Sequence, residues 1–284
     1  MKLIIEPDAG VTPIVKAIKG AKKTLDIVIF RFDRVEVEKA LAQAVERGVN
    51  VRALIAHTNK GGDKTLRKLE LRLLEAGLTV SRTADDLPRY HGKMLIADRV
   101  LHVYGFNFTK LDIDKSRSFG VITTDKKLLQ EAQKLFEADF NRQGYSPGNS
   151  RFVVSPENAR TTLTNFVRAA KKELLIYDAQ VSDNLVQRVL AERVRQGVKI
   201  RIIGRLEKPL DGVKVRKLAD LRLHVRAIVR DGEAAFVGSQ SLRKLELDGR
   251  REVGIVVNDA SVARQIASVF EDDWAAAPKM AKAS

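Results

Sequence analysis

Apolar residues along this chain follow two alternating spacings. Short apolar runs such as "GAKKTLDIVIF" (20–30) and "AAKKELLIYDA" (169–179) read as strands that follow an AKK triplet. In "ALAQAVERGVNVRALI", from Ala40, and "VLAERVRQGVKIRIIG", from Val189, an amphipathic helix ends at Gly48 or Gly197 and a β-branched strand follows. Both pairs of segments are related by the same offset of 149 residues, so the chain reads as a duplication.

Each half continues with a longer excursion and then two strands in hairpin-like succession, "HGKMLIAD" with "VLHVYGF" and "HVRAIVRD" with "AAFVGSQ". Helices that alternate with apolar strands predict an α/β fold of two homologous α/β/α sandwich halves, each with a mixed, largely buried sheet. The Gly, Ser, Asn and Pro of "NRQGYSPGNSRF" mark a linker, placing the halves at 1–145 and 150–284. Each half closes on a helix, "KKLLQEAQKLFEADF" and "ASVARQIASVFEDDWAAA". His91 and His224 are 133 residues apart, 16 short of the offset, so the first half carries an insertion, assigned to 57–77.

Composition narrows the chemistry. The 284 residues, 44% hydrophobic, suffice for an ordinary core. A net charge of +15 spread over a folded chain attracts polyanions: nucleic acid, anionic membrane surfaces or phosphorylated substrates. With no cysteine, disulfides, zinc-thiolate sites and thiol catalysis are excluded. No apolar stretch approaches the roughly 18 residues needed to cross a bilayer, and Glu6, Pro7 and Asp8 interrupt the first apolar run in a way no signal peptide would. The expectation is a cytoplasmic, soluble protein.

One constellation occurs twice. His91, Lys93 and Asp98 share their spacing with His224, Arg226 and Asp231. Positions i and i+2 of a strand face the same way, so each imidazole lies beside its cation. Packing alone requires no histidine at either place, let alone at both. His57 and His102 lack this pattern: His102 reads as a packed or edge residue of "VLHVYG", His57 as a strand end, and Trp274 as core.

At these residues the sequence resembles the phospholipase D superfamily, whose mark is HxK(x4)D followed by a small polar segment such as GSxxN, carried twice in one chain or once per subunit of a dimer. The likeness extends over nearly the whole chain. It implies a pseudo-dimer, a monomer with an internal pseudo-twofold, whose halves meet at one active site. It implies that His91 is the nucleophile that forms a phosphohistidine and that His224 is the general acid and later the base. Lys93 and Arg226 then hold the non-bridging oxygens, and no metal or other cofactor is called for. The second motif departs from the family in having Arg226 for lysine, a permanent cation that can hold two phosphate oxygens.

The resemblance extends to supporting residues. Asn107 in "GFNFT" and Ser239 and Ser241 in "GSQSL" supply the small polar segments, with Gly105 and Gly238 suited to close backbone approach. Asp98 and Asp231 are expected to brace strand-to-strand turns. Glu252, in "RREVGIV", takes the place of a carboxylate that orients its motif histidine, whereas the first half has Ser118 there. That asymmetry either tunes the two histidines apart or leaves the first one poorly supported.

The substrate class stays open at this level. Phospholipid comes first, on the resemblance and on a basic surface suited to peripheral contact with an anionic membrane, although no interfacial helix with exposed Trp or Phe is evident. Nucleic acid is the alternative, on the charge and the basic insertion "NKGGDKTLRKLELR", against a 6% aromatic content that offers few stacking platforms. A catalytically silent module that binds phosphate-bearing polymers is the third reading.

Overall fold

In a computed structural model, which describes residues 1–58 and 63–278, one strand order occurs twice. The first pass runs β1 (Lys2–Glu6), α1 (Thr12–Gly20), β2 (Thr24–Ile29), α2 (Val35–Glu46), β3 (Asn50–Ile55), α3 (Asp63–Glu75), β4 (Thr79–Arg82), β5 (Met94–Ala97), β6 (Val100–Tyr104), α4 (Lys110–Asp114), β7 (Ser116–Thr123) and α5 (Lys126–Phe140). The second runs β8 (Phe152–Val154), α6 (Ala159–Arg168), β9 (Glu173–Val181), α7 (Asn184–Arg195), β10 (Lys199–Leu206), β11 (Val213–Arg216), β12 (Arg222–Leu223), β13 (Ala227–Arg230), β14 (Ala234–Gly238), α8 (Lys244–Asp248), β15 (Val253–Val257) and α9 (Ala260–Ala276).

The sheet orders are β1-β7-β6-β5-β2-β3-β4 and β8-β15-β14-β13-β9-β10-β11, strand for strand the same. In each, three parallel strands continue into an antiparallel hairpin, which gives the expected mixed sheet. The short β12 pairs with β7 of the other sheet.

Burial explains the sequence pattern. Strands β2 and β9 read as near-continuous apolar runs because helices cover both faces of each sheet. On the outer faces, Ile14, Ile18 and Leu41 pack against Ile27 and Leu95, and Leu163, Val186 and Leu190 pack against Ile176 and Ile202. A third cluster joins the two sheets, with Met94, Val103 and Phe119 meeting Tyr177, Val237 and Ile255 between α5 and α9. Gly48 and Gly197 end their helices at φ 81° and 83°, left-handed values that favour a residue with no Cβ.

The insertion holds α3, with no helix at the corresponding β10–β11 connection; residues 59–62 of the basic segment lie outside the described residues. The linker has no regular structure but is tied to α5, since Tyr145 donates to Glu131 at 2.7 Å and the Gly148 N–H donates to the same carboxylate at 2.9 Å. Trp274 differs from expectation. It is half-buried, stacked on Phe270, with the Arg216 guanidinium 4.6 Å from its ring centre, because α9 reaches the edge of the core by that turn.

Asp98 and Asp231 sit at the hairpin turns with φ 50° and 56°. Asp98 accepts the N–H groups of Lys22, Lys23 and Thr24 at 2.8 to 3.0 Å, and Asp231 those of Lys171, Lys172 and Glu173 at 2.7 to 3.2 Å. The turns differ in length: Ala97 pairs with Val100, but Arg230 pairs with Ala234. Beyond the hairpins the halves are therefore related by an offset one residue larger than the motif spacing. Tyr104, not Gly105, corresponds to Gly238, since their N–H groups donate to the carbonyls of Lys93 and Arg226. Gly105 corresponds to Ser239 and Asn107 to Ser241. Close approach does occur: a Cβ on Gly105 would lie 3.1 Å from the Gly238 carbonyl oxygen.

Burial works against ionisation of Asp98 and Asp231, but their backbone hydrogen bonds win and hold both below the ordinary carboxylate range. A depressed folded-state value means that this stabilisation is full above the unfolded value and is lost as pH falls through the folded one. The double variant Asp98→Asn/Asp231→Asn is therefore expected to melt several degrees lower than the parent near neutrality, with the gap narrowing as pH falls below the ordinary carboxylate range. Melting curves across that range check it; a gap independent of pH counts against the turn carboxylates.

Candidate active site

Each His-x-cation segment is extended backbone leading into β5 or β13, and each is held by the opposite half. The His91 N–H donates to the Arg251 carbonyl at 2.6 Å, and the His224 N–H lies 3.4 Å from the Arg117 carbonyl. These arginines correspond by the larger offset and are anchored alike. Arg117 forks onto Asp273 of α9 at 2.8 and 3.0 Å, and Arg251 reaches Asp139 of α5 at 3.1 Å and Glu157 at 2.5 Å.

The residue after each arginine is thereby delivered to the histidine of the other half. Glu252, fully buried, sets Oε2 2.8 Å from His91 Nδ1, which leaves Nε2 as the free ring nitrogen. Ser118 lies beside His224 and donates to its carbonyl at 3.1 Å. The support for the histidines thus runs opposite to one of the two expectations. Carboxylate 252 serves His91 across the interface, so the first histidine is the well-supported one.

The carboxylate near His224 is Asp112 of α4, with Oδ2 3.5 Å from Nδ1, too long for a full hydrogen bond. Asp112 also accepts from Arg222 at 2.5 Å and from the side chain and N–H of Asn107 at 2.5 and 3.0 Å. Sequence reading missed Asp112, since "KLDID" carries no motif; its correspondence to Glu246 in "KLELD" is the only signal available. Asp178 was missed as well. It is buried within β9 and accepts from Ser241 Oγ and from the N–H of Leu242 at 2.7 Å. Ser239 exchanges hydrogen bonds with the backbone of Val253 and helps hold Glu252 ionised.

The electrostatics are those of a site short of negative charge. Burial pushes His91 well below its ordinary value, and Lys93 and Arg226 push it the same way. His224 is lowered by burial and by Arg226 and Lys93, with Asp112 opposing. Lys93, 1% exposed, is lowered by burial against the pull of Glu252, and its Nζ donates to the His91 carbonyl at 2.5 Å. Burial pushes Glu252 up, opposed by Lys93. Arg226 Nε and Nη1 and His224 Nδ1 are buried without a hydrogen-bond partner. Unpaired buried donors of this kind carry a high cost that an arriving oxyanion would remove.

Four predicted residues, His91, Lys93, His224 and Arg226, thus share one electrostatic neighbourhood with Glu252, whereas Asp98 and Asp231 lie at the other ends of their strands. Asn107, Ser239 and Ser241 act on the carboxylates Asp112, Glu252 and Asp178. His102 is buried and apart, and burial lowers it to about 4. A cavity of about 960 Å3 is lined by Lys16, Arg99 and His102 and contains no motif histidine. A smaller cleft of about 520 Å3, with Arg31, Lys68 and Arg72 in its walls, opens onto Asp112.

A family profile described as "Cardiolipin synthase, PLD-like domain" matches residues 14–140 and 204–274. No curated protein matches the chain. Among solved structures, phosphatidylserine synthase from Haemophilus influenzae Rd KW20 superposes with a TM-score of 0.76 at 9% identity, over 98% of this chain and 87% of that one. Polyphosphate kinase from Porphyromonas gingivalis superposes with a TM-score of 0.78 at 18% identity, over 95% of this chain and 49% of the kinase, so the chain spans about half the kinase's length. These likenesses concern the fold; the profile covers more than half of the sequence, and the chain belongs to the PLD-like family of cardiolipin synthase domains, within the phospholipase D superfamily.

Proposed function

We propose that the protein is a phosphodiesterase of phospholipase D type that hydrolyses or transfers at a phospholipid phosphodiester through a phosphohistidine on His91. The observation that carries this reading is the pair of neutral-held imidazoles from opposite halves, flanked by Lys93 and by an Arg226 whose buried donors have no partner.

A phosphodiester resists attack because its anionic oxygens repel nucleophiles and its alkoxide is a poor leaving group. Lys93 and Arg226 bind the non-bridging oxygens and stabilise the charge that builds there. His91 Nε2 attacks phosphorus while Glu252 takes up the positive charge that develops on the ring through the Nδ1 proton. His224, protonated as the anion arrives, gives its proton to the departing alkoxide. It then takes a proton from water or an acceptor alcohol, whose oxygen attacks phosphorus and releases His91. Asn107, Ser239 and Ser241 support the site through the carboxylates they touch; Asp98 and Asp231 act on the fold.

Phospholipid is favoured as substrate by the description of the matched family and by one surface feature. Leu111 and Leu245 correspond by the larger offset, follow Lys110 and Lys244 on α4 and α8, and are 51% and 47% exposed. Paired lysine–leucine knobs on the helices that follow the two small polar segments suit an anionic lipid surface. No helix among the described residues is long and apolar enough to cross a membrane, so contact with lipid is peripheral in this reading. Nucleic acid remains the second reading because of the basic cleft at Asp112.

Two outcomes follow. Saturating tungstate, a phosphate mimic, is expected to raise the melting temperature by a few degrees, and Arg226→Met to lose most of that rise; an equal rise in the variant, or none in the parent, contradicts an oxyanion site at Arg226. Turnover of bis(p-nitrophenyl) phosphate in excess EDTA is expected to fall about 10²–10⁴-fold in His91→Ala and in His224→Ala. Undiminished turnover in either variant ends the mechanism, no turnover in the parent leaves a silent binding module, and cleavage of oligonucleotides but not of phosphatidylglycerol vesicles reassigns the substrate.

A further inference from the structure

We propose that Asp112 is the positioning residue of His224, a carboxylate supplied from α4 to replace the one missing at position 118. The inference rests on the reading of His224 as the proton donor. Its starting point is the broken symmetry of the interface.

The backbone of the two histidine sites is reciprocal: His91 meets the Arg251 carbonyl, and His224 the Arg117 carbonyl. The following residue is aimed at the opposite imidazole each time. At 252 that residue is an acid, 2.8 Å from His91 Nδ1; at 118 it is a serine, which bonds the His224 backbone instead of its ring. A serine hydroxyl carries no charge, so position 118 cannot support an imidazolium as position 252 can.

Asp112 makes up the deficit. Its Oδ2 lies 3.5 Å from His224 Nδ1, a ring nitrogen that is buried and has no hydrogen-bond partner. The corresponding residue, Glu246, makes no such contact with His91; its Oε1 accepts from Arg243 and from Arg250 at 2.6 Å. Corresponding positions have therefore exchanged tasks: acid at 252 with a structural acid at 246, serine at 118 with a working acid at 112. Asp112 is buried yet held below the ordinary carboxylate range by His224, Asn107 and Arg222, so it keeps its charge.

The groups facing His224 are Arg226 from its own segment, Lys93 from the other motif, Arg222 on β12 and Asp112 on α4. Three are cations, and Asp112 is the one of these four that favours the imidazolium. A proton donor must be protonated to act, so activity falls as pH rises through its pKa. Removing Asp112 lowers that pKa and moves the alkaline limb to lower pH.

The test is the nitrogen-15 NMR titration of histidine-labelled full-length protein, whose four histidines are assigned by single His→Gln variants. In Asp112→Asn the His224 midpoint is expected to fall by about one pH unit or more, with His91 much less affected. Ser118→Glu in the parent is expected to raise it, and the double variant Asp112→Asn/Ser118→Glu to restore it. In parallel, kcat in Asp112→Asn falls about 10–100-fold and recovers in part in the double variant. An unmoved His224, an equal movement of His91, or a Ser118→Glu variant without effect overturns the proposal. Ser118→Glu leaves the contacts of Asp112 to Arg222 and Asn107 in place, so it decides the matter even where Asp112→Asn folds poorly. The titration needs no turnover, so a parent without activity contradicts the phosphodiesterase reading while the role of Asp112 is still decided.

Discussion

Arg117 pairs with Asp273 and Arg251 with Asp139, and both ion pairs cross from one half of the chain to the other. Each joins a strand-edge arginine to the closing helix of the opposite half, where Tyr177 also donates to Asp273 at 2.6 Å. Breaking one partner of such a buried pair leaves an uncompensated charge, so the docking of the halves is strongly specified even if the pairs add little net stability. The consequence is geometric. With the arginines fixed, their carbonyls take the histidine N–H groups, and the side chains at 118 and 252 are presented to the imidazoles. Neither half contains the whole candidate site, because each histidine is held by a backbone segment of the other half.

That arrangement collects cations where water is scarce. Lys93, Arg226 and two histidines lie within one desolvated volume, and burial and mutual repulsion push both imidazoles and the ammonium toward their neutral forms. A folded protein tolerates such a cluster only at some expense in stability, offset here by the apolar cluster that unites the sheets and by the buried acids Glu252, Asp112 and Asp178. The strain has one natural release, a bound oxyanion. In the proposed mechanism, affinity for phosphate and readiness for catalysis have the same origin, since the charge that binds the ground state also meets the charge that grows as the alkoxide departs.

Much of this was legible in the sequence because it repeats. The offset between the AKK strands and between the two helix–glycine–strand segments revealed the duplicated α/β architecture, and the paired motifs named four residues that the fold brings together. What stayed hidden depends on distances between halves that no linear pattern records. Glu252 could be named as a histidine partner, but which histidine it serves follows from the exchange of backbone hydrogen bonds across the interface. The one extra residue in the second hairpin turn, which sets Gly105 opposite Ser239 in the correspondence of the halves, also stayed hidden, because turn length cannot be read from a strand pattern with either register open. Asp112 was invisible for a different reason: its helix spans five residues, too short for periodicity to mark, and its partner position holds a different acid with a different task.

The asymmetry at the centre of the molecule has a physical rationale. Attack on phosphorus needs one neutral imidazole, and protonation of the leaving group needs one charged imidazole, at the same moment and a short distance apart. Two identical subunits would present identical surroundings, and only the substrate could then tell the histidines apart. Fusing the halves into one chain frees corresponding positions to differ. Here they do: a full hydrogen bond to a fully buried glutamate fixes His91 with a ring nitrogen free, whereas His224 has only a shared and more distant aspartate beside it. The duplicated scaffold supplies the pairing, and the residues that break its symmetry give the two histidines the unlike surroundings that the proposed mechanism calls for.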